Sequence, residues 1–185
     1  MIKKNLNTKE FIQIFFKICE NIEKNKDYFS ELDRAIGDGD HGVTMSIGWT
    51  AVKEKLSEFS DDITFDKICI QVASSFLSAV GASAGPLYAT ALMRGGAKLK
   101  GLKNVNSSQM ADFFEAAANG IKERGKAELG DKTMLDVWLP VSEVMKINAE
   151  QNEDIIEILL KGSLIADLAM NSTKDMLSKK GRSSK

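Results

Sequence analysis

The stretch "ICIQVASSFLSAVGASAGPLYATALM", residues 68 to 93, carries no charged side chain and decides between two folds. Its length would let one apolar helix cross a bilayer. Its middle argues otherwise, because Gly81, Gly85 and Pro86 fall within "VGASAGP", and Gln71, Ser74, Ser75 and Ser78 punctuate the first half. Two buried helices joined by a tight turn of small residues account for the run better. Gly81 ends the first, and Pro86 suits the first turn of the second. The expectation is a soluble helical protein with no membrane span.

Helical spacing dominates on both sides of this run, and strand-like alternation is nearly absent. Asn7 with Glu10 makes a capping pair for a helix carrying Phe11, Ile12, Phe15, Phe16, Cys19 and Ile22. A short second helix over 27–36 places Tyr28, Leu32 and Ile36 on one face and stops at Gly37. "VTMSIGWTAVKEKLSEF" reads as the third, the opening run supplies the fourth and fifth, and "SSQMADFFEAAANGIKERG" is the sixth, capped by Ser107 or Ser108. "KTMLDVWLPVSEVMKINAE" is the seventh, with a kink expected at Pro140. The eighth and longest starts at "NEDIIEILL" and runs on toward the basic C-terminal residues. Connections are short, so consecutive helices should run antiparallel.

Composition agrees with one globular domain: 185 residues, 43% hydrophobic and 28% charged, with a net charge of −1. That balance supplies no field to draw the chain to nucleic acid or to an anionic membrane. Cys19 and Cys69 sit in apolar helical patterns without a CxxC spacing, as expected of two core thiols in a reducing, cytoplasmic setting.

Three loops carry more than a connection needs: "GDGDHG", "VGASAGP" and "RGKAELGDKTM". They precede the third, fifth and seventh helices, and in an up-down bundle loops separated by an even number of helices share an end. All three are therefore expected at one mouth. The first gathers Asp33, Asp38 and Asp40 within eight positions, where like charges raise one another's pKa unless something offsets them. A bound cation would do so, and carboxylates suit Mg²⁺ sharing phosphate oxygens with a substrate; a solvated acidic loop is the competing explanation. "GASAGP" before a helix N-terminus suits an anion, although small residues also permit simple close packing. "GKAELGDKT" misses the P-loop pattern because Asp131 is inserted before Lys132 and Thr133, and no strand precedes it. An EF-hand and a zinc site are excluded by the residues at Gly42 and Trp49 and by the lone His41.

Taken together, "IGDGDHGVTM", "VGASAGPLY", "RGKAELGDKTMLDVW" and a late "KGR" closely resemble the nucleotide-binding L subunit (DhaL) family of bacterial dihydroxyacetone kinases, over essentially the whole chain and in the same order. The resemblance implies an all-α, antiparallel up-down ring of about eight helices with nucleotide at one end, as a single domain over residues 1–185. It implies two Mg²⁺ ions held by Asp33, Asp38 and Asp40. His41, Gly42 and Thr44 would contact ADP or ATP, and Ser83, Ala84 and Gly85 would approach its phosphates. Gly125 and Met134 would border the adenine, and Arg182 would reach the phosphates. The implied activity is a phosphotransferase-system-dependent glycerone kinase subunit. ADP is phosphorylated in place by a phosphohistidine-carrying M subunit and passes the phosphoryl group to dihydroxyacetone on a K subunit.

The sequence departs from the family at three places. The glycine loop has Ser83 one position earlier than usual and Ala84 where serine is usual, and Thr44 stands where some members have asparagine. Family members also continue past "KGR" with a glycine-rich lid and a last helix, so a bundle with one open side is expected. The alternatives are a related helical kinase domain using free ATP, a regulatory nucleotide-binding module that docks to a transcription regulator without transfer, and a structural bundle whose acidic loop binds nothing.

Overall fold

In the computed structural model, which describes residues 4–81, 84–181 and 184, eight α-helices form the chain: α1 (Thr8–Lys24), α2 (Lys26–Arg34), α3 (His41–Leu56), α4 (Phe65–Ala79), α5 (Ala84–Lys98), α6 (Ser107–Gly125), α7 (Leu135–Glu150) and α8 (Ile155–Ser172). The all-α expectation and the count of helices both hold. Going round the bundle, α1 packs on α3, α3 on α4, and then each helix on the next through α8, while α2 lies against α3.

Amphipathic spacing explains why each helix packs as it does. On α1, Phe11, Phe15 and Cys19 recur every fourth residue and are buried. Phe11 meets Phe65 of α4 at a ring-centroid distance of 4.7 Å and Phe113 of α6 at 6.1 Å, edge-on to the latter, and Phe15 stacks on Trp49 of α3 at 6.3 Å. These rings tie four helices into one core. An apolar cavity of about 300 Å³ lies inside the ring, walled by six of the helices through side chains such as Phe15, Trp49, Tyr88 and Trp138.

Contacts along the helices establish their direction. Gly96, late in α5, lies against Cys69, early in α4; Gly95 lies against Phe113, early in α6; Gly120, late in α6, lies against Thr90 in α5. Lys146, late in α7, pairs with Asp112, early in α6. From α3 to α8 consecutive helices are therefore antiparallel, which brings the starts of α3, α5 and α7 to one end, as the parity of the loops requires. The expectation fails at α1 and α2, which follow one another across Asn25 alone, so that α1 runs antiparallel to α3 and starts beside the start of α6 at the other end.

Other details differ from the sequence reading. A two-stranded antiparallel ribbon, β1 (Asn5–Asn7) and β2 (Asn104–Asn106), pairs the buried Leu6 with the buried Val105. Each strand ends on an asparagine that caps the next helix reciprocally, Asn7 with Glu10 and Asn106 with Gln109. The cap of α6 is thus Asn106, not Ser107 or Ser108. α8 ends at Ser172 and a short 3₁₀ turn, α9 in chain order (Thr173–Asp175), follows, so α6 and not α8 is the longest helix. α7 continues through Pro140. The shared face of Tyr28, Leu32 and Ile36 is exposed.

Gly48 of α3 sits where α4 comes closest: a Cβ there would lie 2.7 Å from Phe76 Cδ2 and 2.6 Å from Val80 Cγ2. Gly48→Ala should cost about 1–3 kcal/mol by overpacking, seen as a fall in Tm. Asn106→Ala should cost about 1 kcal/mol, lowering Tm by ~2–4 °C for a chain of this size. Calorimetry of the two variants should rank the glycine change as the larger.

Candidate functional site

The turn between α2 and α3 is wound tightly by its own backbone. The N–H groups of Ile36 and Gly37 both donate to the Asp33 carbonyl, at 3.1 and 2.6 Å. Gly37 leaves room for the Asp33 carboxylate, which a Cβ there would push aside. Gly39 has φ +75°, a left-handed conformation that glycine adopts at no steric cost. The result is that one carboxylate oxygen from each of Asp33, Asp38 and Asp40 lies within 4.8 Å of the others. Asp33 is half-buried, and the other two are exposed.

Asp40 occupies the N-cap position of α3, where aspartate ordinarily accepts from the second or third N–H of the helix. Here it makes no such side-chain bond, and its carboxylate joins the acidic group instead. His41, the exposed first residue of α3, donates its N–H to Asp33 Oδ2 at 3.3 Å. Three hard oxygen donors at a helix N-terminus form a set that fits Mg²⁺.

The other sequence candidates divide between packing and pocket. Gly42 is buried against α2: a Cβ would overlap the Lys26 carbonyl and lie 2.7 Å from Ser30 Oγ. Thr44, half-buried one turn into α3, donates its N–H to the Asp40 carbonyl at 2.9 Å. Ala84 and Gly85 open α5, and Gly85 packs beneath the Val80 carbonyl. Ser83 and Arg182 lie outside the described residues. Gly125 and Met134 line one cavity of about 490 Å³, together with Pro86 and Leu87 of α5 and Lys180 and Gly181 of the C-terminal segment. A cavity of that size is in the range of small-molecule sites.

Sequence reasoning missed the residues that shape the loop from which Ala127, Thr133 and Met134 line the cavity. Asp136, in the first turn of α7 and 3% exposed, accepts the Gly130 N–H at 2.5 Å and the Thr133 N–H at 2.7 Å. Asp131, 8% exposed, accepts the Glu128 N–H at 2.9 Å. That bond, with Lys179 and Lys180 nearby, holds its carboxyl below the ordinary aspartate range. Asp131 in the loop and Asp136 at the start of α7 were the available signal. The acidic turn adjoins the start of α3 and the cavity adjoins the starts of α5 and α7, so the two lie at the same end of the bundle.

Comparison with known proteins places this geometry in a family. The DAK2 domain matches residues 35–185. The ADP-binding subunit DhaL of the PEP-dependent dihydroxyacetone kinase of Escherichia coli K12 is 40% identical over 159 residues, covering 85% of this chain and 75% of that one. The ADP-binding subunit DhaL of the PTS-dependent enzyme of Lactococcus lactis is 33% identical over 147 residues, covering 80% and 73%. In fold, the chain is similar to the dihydroxyacetone kinase from C. freundii crystallised with AMP-PNP and Mg²⁺, with a TM-score of 0.71, 18% identity and 98% of this chain covered. The chain spans about a third of that larger kinase, 32% of its length. By domain match, by identity to both bacterial subunits and by the helical ring itself, the chain belongs to the DAK2 domain family.

Proposed function

We propose that the chain is the ADP-carrying subunit of a dihydroxyacetone kinase driven by the sugar phosphotransferase system. In this reading ADP stays bound, receives a phosphoryl group from a phosphohistidine protein, and delivers it to dihydroxyacetone on a separate K subunit in the cytoplasm. The observation that carries the reading is the acidic turn of Asp33, Asp38 and Asp40 at the same end of the bundle as the cavity bounded by Gly125 and Met134.

Asp33, Asp38 and Asp40 would hold Mg²⁺, which when bound neutralises phosphate charge. The chain's own residues position the nucleotide. Gly125, Met134 and Leu87 supply an apolar slot for a purine ring, and the N-terminal turns of α3 and α5 direct N–H groups and positive dipole ends toward phosphate. On this reading His41, Gly42, Thr44 and Gly85 contact the nucleotide, and Ser83, Ala84 and Arg182 approach its phosphates. Phosphoryl transfer needs positioning and charge neutralisation more than covalent chemistry from the protein. No nucleophile is therefore assigned to this chain.

Asp38→Asn and Asp40→Asn test the metal assignment. Both carboxylates are exposed, so without Mg²⁺ and nucleotide each variant should fold and melt within a few degrees of the parent. With Mg-ADP, calorimetry should show binding weakened by at least about tenfold, roughly 1.4 kcal/mol. Variants that bind Mg-ADP as the parent does would refute the assignment. Transfer is tested by supplying a phosphohistidine donor and a K subunit: labelled phosphate should appear in bound ATP and then in dihydroxyacetone phosphate. ADP binding without transfer would favour the regulatory reading instead.

A further inference from the structure

The α6–α7 loop does more than line the cavity, because it also grips the segment that follows α8. Lys132 has φ +57°, a left-handed conformation uncommon for a residue with a Cβ. From there its ammonium donates to the Lys174 carbonyl at 3.2 Å and the Met176 carbonyl at 3.1 Å. These carbonyls belong to the end of the helical run that α8 begins, where acceptors lack intrahelical partners and the dipole end is negative. A second tie lies alongside: the Lys179 N–H donates to the Asp131 carbonyl at 3.1 Å, and Lys179 Nζ lies 3.6 Å from Asp131 Oδ1.

What the grip holds in place is a wall of the cavity. Immediately after Lys179, Lys180 and Gly181 line the space opposite Pro86, Leu87 and the end of α6. The ammonium of Lys132, the lysine of the near-miss P-loop pattern, is spent on backbone carbonyls. We propose that Lys132 is a positioning residue: its two hydrogen bonds clasp residues 174–181 to the α6–α7 loop, and nucleotide leaves the cavity only as fast as this clasp opens. The proposal rests on the reading of the cavity as the nucleotide's.

Fluorescent-ADP release, followed by stopped flow in Mg²⁺ with excess ADP as competitor, tests it. Lys132→Met should release the probe about tenfold faster, the equivalent of one charge-assisted hydrogen bond, while the Tm of the nucleotide-free protein changes by only a few degrees. Trypsin should cut after Lys179 faster in that variant, and Lys132→Arg, which can still donate to two carbonyls, should restore both rates. Lys132→Gly relieves the backbone conformation without restoring the ammonium, so it should behave as the methionine variant does. Release at the parental rate from both Lys132→Met and Lys132→Gly would overturn the proposal. If the parent binds no Mg-ADP, the nucleotide reading fails and this role with it. Faster tryptic cutting of Lys132→Met would then mark the clasp as structural only.

Discussion

The bundle depends on close approach between helices at positions that have no side chain. Gly48 brings α3 onto α4, Gly96 brings α5 onto α4, and Gly95 brings α5 onto α6, each with a neighbouring atom under 3 Å from where a Cβ would stand. Gly162 does the same for α8 against Met145 of α7, at 3.2 Å. Such contacts leave room only for helices lying side by side, and from α3 onward the connections then set alternate directions. Alternation collects the starts of α3, α5 and α7 at one end, and those starts carry the acidic turn and the cavity. The β1–β2 ribbon and its two capping asparagines close the opposite end, fastening the start of α1 to the start of α6.

Within that frame the acidic turn stands out as a concentration of like charge at a helix N-terminus. Three carboxylate oxygens within 4.8 Å of one another repel, and the turn that holds them passes through a left-handed conformation at Gly39. An aspartate that should cap α3 faces its two neighbours instead. A divalent cation and its phosphates would offset that repulsion. The loop before α7 solves a similar problem differently: Asp131 and Asp136 are each compensated by backbone N–H groups, and they serve to shape the loop.

The architecture was legible because its signals are local and repeated. Apolar spacing on α1, the Asn7–Glu10 pair, and the glycines and proline at 81–86 each mark a helix or its end, and eight helices in order suffice for the parity of the loops. The grouping of Asp33, Asp38 and Asp40 was equally plain, being confined to eight positions. The ribbon was not, since three-residue strands such as "NLN" and "NVN" are too short to show alternation. The Asn106–Gln109 cap was present in "NSSQ" but was outcompeted by two serines that suit the same role. The grip of Lys132 on Lys174 and Met176 leaves no trace in sequence, because backbone carbonyls are the same at every residue and the partners lie forty-two and forty-four positions away.

The most direct measurement is of nucleotide content. The protein is purified in Mg²⁺ without added nucleotide and denatured, and the supernatant is resolved by ion exchange against ADP and ATP standards. The account predicts close to one ADP per chain, the mark of a nucleotide kept as a cofactor. A chain that comes away empty and takes up no added Mg-ADP would contradict it.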